Sequence, residues 1–333
     1  AVAANATTGT ILSSMGAQAC ISQVQDTVSG LQLPLIKNYN LQQALKLNTD
    51  TGERKSITTI TEKYGGAQGG ANNKFPATKC VIPVPTALQS AGKVIPLSVL
   101  NGGHNISILL EQGNRVFTNQ AVGNSYKITD IEIVCCMLKP DEKYLQELAG
   151  AMSRGGSLKI PLQLTKNISS TLAGSATQTV RIQSGYLSSL NSITNVIRKA
   201  SDIGTGVVNT AKDTFKTNTN ELASYYFMIN SQRYPKNKSI HCNTDPENLY
   251  QLLAGFNTSY SHLSPFASDT AFCHYAFESN GQFSSGIPLN DGHINIEATF
   301  GTTPTSGDVL DCFLEYDSLL VIDANTVNLI IDV

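Results

Sequence analysis

The side chains in this sequence that could do chemistry are not spaced as in any catalytic or metal-binding motif. Histidines could bind a metal or transfer protons, but no two lie four residues apart, as two ligands on one helix face would. Asp141 and Glu142 are an acidic pair at the predicted start of a helix. Negative side chains at this position stabilise the helix by interacting with its dipole, so the pair needs no catalytic role to explain it. The five histidines are His104, His241, His262, His274 and His293.

A glycine-rich stretch from Gly65 to Lys74 has glycine pairs at a spacing similar to that of a phosphate-binding loop. It lacks the Gly-Lys-Ser/Thr ending that holds phosphate and magnesium, so we interpret it as a flexible loop. His274 lies among aromatic residues in Phe272–Phe277, and we interpret it as a structural imidazole on a strand. A pair of carboxylates of the kind that glycosidases use is not excluded by the sequence, because the distance between two such groups depends on the fold. We predict no catalytic, cofactor-binding or metal-binding residues, no cofactor, and no enzymatic activity.

The seven cysteines form no Cys-x-x-Cys pair, and their number is odd. Several of them fall on predicted strand faces among aliphatic residues. This pattern predicts buried, reduced thiols of an intracellular protein. They are Cys20, Cys80, Cys135, Cys136, Cys242, Cys273 and Cys312.

Composition favours a β protein with two domains. The chain has 333 residues, which suits two domains of about 150 residues each. Charged residues are 14% and hydrophobic residues 41% of the chain, Trp is absent, and Asn, Ser, Thr and Gly are abundant. This profile is typical of turn-rich β proteins. The net charge of −2 argues against a protein that binds nucleic acid over its whole surface.

The last fifty residues are predicted to form strands only, because apolar and polar residues alternate with a period of two. The chain ends inside the last of these strands. It lacks an initiating Met, so it is either processed or part of a longer chain. The inward-facing sets are Ile294, Ile296, Ala298 and Phe300; Leu310, Cys312, Leu314 and Tyr316; and Val327, Leu329, Ile331 and Val333.

Further elements are predicted upstream. Helices are expected from Asp141 to Met152 and from Asp245 to Ala254, each with Pro or Asp at its start. Strands are predicted at 18–30, at Ile131–Met137 and at Leu158–Leu164, where Pro161 favours a sheet edge. The stretch 166–179, rich in Ser, Thr, Gly and Ala, is interpreted as a boundary or crossover, and the polar interval 200–222 as a long loop or a partly helical insertion.

The order of these segments resembles the double jelly-roll major capsid proteins of nucleocytoplasmic large DNA viruses, virophages and polinton-like viruses. The resemblance covers most of the chain. In Tyr226–Pro235 the family usually has Asn-Gly at the turn, and Ser231 replaces that glycine, which makes a tight mirror-image turn less favourable. The other segments that carry the resemblance are Val94–Leu100 with Asn105–Ile108, Tyr126–Met137 with Asp141–Leu145, Ser284–Leu289, and Leu314–Ile322.

The resemblance implies an all-β fold of two consecutive jelly rolls with a few short helices, at residues 1–172 and 173–333. The first jelly roll is expected to lack its N-terminal strands, which are either missing from this chain or replaced by a partner. The implied function is structural: a homotrimer forms a pseudo-hexameric capsomer that tiles an icosahedral capsid in the virion of a double-stranded DNA virus. Implied partners are further copies, neighbouring capsomers, and minor capsid and penton proteins, with no sequence-specific nucleic acid.

Two other interpretations remain at this point. A carbohydrate-binding or glycan-processing β-sandwich would have a similar composition, although such sites usually present exposed Trp, which this chain lacks. A minor capsid protein of the same fold is the other alternative. The sequence does not indicate whether a membrane underlies the shell.

Overall fold

The protein is described from a computed structural model, which is informative for residues 2–5, 11–12, 16–43, 82, 84, 86–88, 97, 100, 102–118, 125–134, 138–200, 222–241, 273–277, 286–323 and 327–330. Strands dominate these ranges, as the composition predicts. None of the helices within them combines the length and the hydrophobicity that crossing a membrane requires.

The strands are short in the first half of the chain and longer in the second. In chain order they are β1 Val2–Asn5, β2 Ile11–Leu12, β3 Ile21–Val28, β4 Leu31–Gln32, β5 His104–Leu110, β6 Phe117–Thr118, β7 Ser125–Ile128, β8 Leu158–Thr171, β9 Thr177–Gln183, β10 Leu187–Arg198, β11 Leu222–Ile229, β12 Gln232–Tyr234, β13 Ile240–His241, β14 Cys273–Ala276, β15 Ile287–Leu289, β16 His293–Phe300, β17 Val309–Ile322 and β18 Val327–Ile330. The helical segments are a 3-10 turn at Gly16–Cys20, residues 39–43, α1 Gly113–Val116 and α2 Glu142–Ser153.

The second half forms two antiparallel sheets. The long-strand sheet has the order β8-β17-β10-β14, with β15 beside β10 and β18 beside β17. The short-strand sheet has the order β9-β16-β11-β12, with β13 beside β11. From β8 to β11, consecutive strands alternate between the two sheets, which is the Greek-key connection of a jelly roll.

One hydrophobic core fills the space between these sheets. Leu164 and Leu314 from the long-strand sheet pack in the same cluster as Phe227 and Ile294 from the short-strand sheet. Each such side chain stabilises the fold by about 1.5–3 kcal/mol when it leaves water. The cluster continues into the first half of the chain, so the two halves share apolar contacts. Its buried members there are Val28, Leu33, Ala87, Leu88, Leu100 and Met152.

The first half contains a three-stranded sheet of order β4-β3-β5 and two two-stranded sheets, β1 with β7 and β2 with β6. β3 buries alternate residues because it packs one face inward. A second, smaller cluster lies beneath it, formed by Ile21, Val24, Ile36 and Tyr39.

Several predicted elements are confirmed. β16 buries Ile294, Ile296, Ala298 and Phe300, as its alternation indicates. The helix predicted from Asp141 is α2, and Gly155 follows it with a positive φ of 84°. In the described part of the chain β8 pairs with β17 alone, so Pro161 lies in an edge strand.

Two predictions about the first half are wrong in part. The strand face through Ile131 and Ile133 does not form: β7 ends at Ile128, Asp130 has a φ of 55°, and 131–134 belong to no strand. The left-handed residue interrupts the extended backbone that a ladder needs. The N-terminal stretch, expected to lack strands, contains β1 and β2.

The division into 1–172 and 173–333 stays a prediction. β8 and β17 pair from Leu158 opposite Ile322 to Thr171 opposite Val309. The long-strand sheet therefore includes residues from both sides of the predicted boundary. The stretch 166–179, interpreted as a crossover, contributes its first residues to β8 and its last to β9.

Some predictions fall outside the described residues. These are the glycine-rich stretch Gly65–Lys74, the strand residues Cys135, Met137, Ile331 and Val333, most of the interval 200–222, and the helix from Asp245 to Ala254.

The hairpin between β11 and β12 turns tightly although serine replaces the expected glycine. Ile229 pairs with Gln232, so the loop consists of Asn230 and Ser231 alone. Both have positive φ, 48° and 62°, which defines the mirror-image type I′ turn. The Asn230 amide donates to the Pro288 carbonyl, and its oxygen accepts a hydrogen bond from the Asn290 N–H at 2.9 Å. These bonds hold the turn in the left-handed region.

Replacing Ser231 by glycine should stabilise the protein. Glycine adopts positive φ without steric cost, so we expect Ser231→Gly to raise the free energy of unfolding by about 0.5–1 kcal/mol, measured by chemical denaturation. Ser157→Gly is the matched control, because Ser157 is exposed and lacks a positive φ. It should lower stability through unfolded-chain entropy. Equal losses in both variants would contradict the strain argument.

Candidate functional site

The central strands of the long-strand sheet, β10 and β17, are buried on both of their faces. One face belongs to the hydrophobic core, and the other, which we call the polar face, carries hydroxyl, amide and charged side chains. Buried polar groups are costly unless they are hydrogen-bonded, so their partners decide whether this face is stable. The polar face comprises Thr165, Asn167 and Ser169 on β8; Ser189, Asn191, Ser192, Thr194 and Arg198 on β10; and Asp311, Glu315 and Asp317 on β17.

Asp311 is the centre of the polar face. Its side chain is fully buried, yet both carboxylate oxygens are bonded. Oδ2 accepts hydrogen bonds from Nε and Nη2 of Arg198, at 2.6 and 2.5 Å. Oδ1 accepts from Nδ2 of Asn38 at 3.1 Å and from the Ser169 hydroxyl at 2.5 Å. Charge-assisted bonds of this kind offset much of the cost of removing the carboxylate from water.

The helical residues 39–43 and the preceding Asn38 connect the first half of the chain to this face. Asn38 Nδ2 also donates to the Asn167 side-chain oxygen at 2.9 Å. Four residues later, Gln42 Nε2 donates to the Thr165 hydroxyl at 3.1 Å. Residues four apart lie on one side of a helix, so this side of the turn lies against β8.

The same turn is also hydrogen-bonded to other elements of the first half of the chain. Asn40 Nδ2 donates to Oε2 of Glu111 at 3.1 Å and to the Ala19 carbonyl at 3.4 Å. The Tyr126 hydroxyl donates to the Glu111 and Cys20 carbonyls. Burial, followed by the proximity of Cys20 and Glu111, raises the pKa of Tyr126, so it stays a donor. The turn is therefore bonded to both halves of the chain.

A second carboxylate cluster lies further along β17. Asp317 is 3% exposed and accepts from the Ser189 hydroxyl at 3.0 Å and from Asn191 Nδ2 at 2.7 Å. The backbone N–H of Gly286 donates to Ser189 Oγ at 3.2 Å. A Cβ at Gly286 would lie 2.5 Å from the Leu190 carbonyl oxygen, so only glycine fits there. The cluster joins the start of β15 to the sheet.

His274 lies on β14 beside the polar face and has no exposed surface. Its Nδ1 is 2.8 Å from the Thr194 hydroxyl. Burial lowers the pKa of His274 to about 4, and the nearby Glu315 opposes this only in part. The imidazole is therefore neutral near pH 7. His274 lies on a strand, as predicted.

These groups include a hydroxyl, an imidazole and a carboxylate, and the hydroxyl and the imidazole lie in the interior of the described structure. A nucleophile must meet a substrate in an accessible cleft, and Thr194 and His274 are both buried. On the opposite face, burial raises the pKa of Tyr316 to about 12 and raises the pKa of Cys312 as well, so both stay protonated. Cys20 and Cys312 are buried and reduced, as predicted. The polar face holds strands together.

The other candidate residues are dispersed over the molecule. Nε2 of His104 is 3.3 Å from Asp26, which also accepts from the Leu88 N–H. Nδ1 of His293 is 2.9 Å from the Asp291 carbonyl oxygen. Among the described residues no group of three or more His, Cys, Asp or Glu side chains is arranged to hold a metal ion. His262 lies outside the described residues.

β10, the strand with the most continuous burial, was not predicted from its sequence. Its sequence has no apolar period, because hydroxyl and amide residues occupy buried positions on it. The signal that was available is the length of Leu187–Arg198 without Gly or Pro, which is long enough for a strand.

Comparisons with known proteins place the fold. No protein-family model matches the chain. No curated protein matches it either. Among solved structures, a chain of the PBCV-1 virus capsid quasi-atomic model is similar, with a TM-score of 0.66 and 12% identity over 98% of this chain and 87% of that one. The Faustovirus major capsid protein gives a TM-score of 0.61 with 10% identity, over 95% of this chain and 74% of that one. A chain of the cryo-EM structure of the Sputnik virophage gives a TM-score of 0.52 with 11% identity, over 100% of this chain and 80% of that one.

These likenesses extend over nearly the whole chain. They establish the fold as the double jelly roll that the resemblance implies.

Neutralising Asp311 should destabilise the protein strongly. In Asp311→Asn the buried Arg198 guanidinium loses its counter-charge, so we expect the free energy of unfolding to fall by about 3–5 kcal/mol. The double variant Arg198→Gln with Asp311→Asn should recover part of this loss, because it leaves no uncompensated charge. Chemical denaturation of the two single variants and the double variant measures the coupling.

The control for this experiment is the exposed pair of Lys143 and Glu147, whose nearest atoms are 4.0 Å apart. Glu147→Gln should change stability by less than about 0.5 kcal/mol. A loss in Asp311→Asn as small as this would show that Asp311 does not depend on Arg198.

His274 should make the protein less stable in acid. Its pKa is about 4 in the folded protein and near 6.5 when unfolded, so the unfolded state binds the proton first as pH falls. The free energy of unfolding therefore begins to fall near pH 6.5 and has lost on the order of 3 kcal/mol below about pH 4. Unfolding of the wild type and of His274→Gln, measured at several pH values, should give a smaller loss for the variant. Identical pH profiles would contradict this assignment.

Proposed function

We propose that this chain is a structural capsid protein of a double-stranded DNA virus, of the double jelly-roll major capsid type. Three copies form a trimer with six jelly-roll units, and such pseudo-hexameric capsomers tile the icosahedral shell of the virion. The protein needs no cofactor and catalyses no reaction. Its partners are further copies of itself, with minor capsid and penton proteins at other positions of the shell.

The observation that carries the proposal is a likeness of fold to virus capsid proteins that extends over nearly the whole chain. The polar face supports it physically. A shell subunit must keep its two units in a fixed orientation, and Asn38 and Gln42 bond the first half of the chain to the long-strand sheet. Hydrogen bonds fix direction as well as distance, which apolar packing does less strictly.

Within this proposal the boundary between the two units lies before β8. β8 supplies the edge strand of the long-strand sheet, and the sheet opposite begins with β9. The second unit therefore starts near Leu158, after α2 and Gly155. Leu148 of α2 packs against the hydrophobic core, so α2 covers the junction between the units.

The solution mass of the purified chain tests the proposal. We expect light scattering to give the mass of three chains, about 107 kDa from 35.6 kDa each, and negative-stain images of the same peak to show a hexagonal outline. A chain that stays monomeric at high concentration would overturn the proposal and favour the carbohydrate-binding sandwich, for which a glycan array is the next measurement. Stoichiometry in purified particles separates a major from a minor capsid protein.

A further inference from the structure

Exposed apolar residues are concentrated in one part of the first half. Of the ten large apolar side chains that are exposed in the described residues, eight lie between residues 108 and 144. Val134 is 90% exposed and Ile131 74%. Exposed apolar side chains that adjoin one another are candidates for burial against a partner. The eight are Ile108, Leu109, Leu110, Ile131, Ile133, Val134, Leu138 and Tyr144.

The first component of this surface is the edge of β5. β5 pairs with β3 on one side, and the sheet of order β4-β3-β5 ends with it in the described part of the chain. Its outer backbone groups are open there, and three consecutive apolar residues, Ile108 to Leu110, end the strand. An edge of this kind accepts a further strand.

The second component is the segment 130–134, which we call the apolar arm. All five of its residues are exposed, and it joins no ladder in the described structure. Three of them, Ile131, Ile133 and Val134, are β-branched residues that favour strands. The arm begins two residues after β7, and Tyr126 of β7 is bonded to Glu111, which directly follows β5. The end of β5 and the strand that leads into the arm are therefore close together in the fold.

We propose that the apolar arm of one copy adds as a strand to the open edge of β5 in a second copy. This inference rests on the proposed function, in which copies of the chain assemble. Within the described residues, each copy offers one strand edge that is unpaired and one extended apolar segment that is in no sheet. A head-to-tail contact satisfies both, and repeated contacts of this type close into a ring when the rotation permits.

The charge of the surface agrees with a second copy as its occupant. In a head-to-tail assembly each copy uses its arm in one contact and its β5 edge in another, and the six apolar side chains of these two components, at about 60–120 Å² each, bury on the order of 500 Å² per copy over the two contacts. The charges around the arm have both signs, with Asp130 and Glu132 beside Lys127 and Lys139. Such a mixed surface does not repel a copy of itself, and it lacks the excess of basic residues that nucleic acid requires.

The test compares the wild type with the double variant Ile131→Lys, Ile133→Lys. Both side chains are exposed in one copy, so the substitutions should leave the fold unchanged, as circular dichroism checks. We expect the concentration for half-assembly, measured by light scattering, to rise at least about 100-fold, because two apolar side chains no longer leave water. Tyr186→Lys is the control: Tyr186 is 73% exposed, lies outside both components, and should leave assembly unchanged.

Hydrogen exchange of the wild type gives a second, independent measurement. Backbone amides of β5 should exchange at least about tenfold more slowly in the assembled protein than in dilute, dissociated protein, since strand addition bonds them. Assembly of the double variant at wild-type concentrations, or unchanged exchange in β5, would overturn the inference and leave the proposed function intact. A wild type that never assembles would overturn both.

Discussion

The charge on Asp311 is the constraint on which the junction of this protein depends. A carboxylate without contact to water must be compensated by nearby donors, and they come from three separate places in the sequence: Arg198 on β10, Ser169 on β8 and Asn38 in the first half. Each donor therefore fixes the position of the element that carries it. The long-strand sheet can bury a polar face because this set of bonds is complete.

The sequence was most informative where one face of a strand is buried and the other is not. β16 alternates strictly between apolar and polar residues, and its buried set was predicted residue by residue. α2 was predicted from its apolar stripe and from the glycines that follow it. In such elements the alternation of apolar and polar residues directly indicates which face is buried and which is exposed to solvent.

The polar face could not be predicted in this way. A strand that is buried on both sides by different kinds of neighbour shows no period, and β10 was missed for that reason. The donors of Asp311 are distant in sequence, so nothing local identifies them. The interruption at Asp130 was missed because an aspartate with positive φ is uncommon, and the residues after it are as β-branched as a real strand.

The bond between Asn38 and Asp311 joins residues 273 positions apart. During synthesis the ribosome releases the first half of the chain long before Asp311 exists, so the junction forms only after Asp311 has been translated. Contacts of such long range slow folding, and the half that emerges first must wait with its apolar strands uncovered. The order of the strands in the sequence therefore determines how long the first half of a nascent chain lacks the contacts that the long-strand sheet provides.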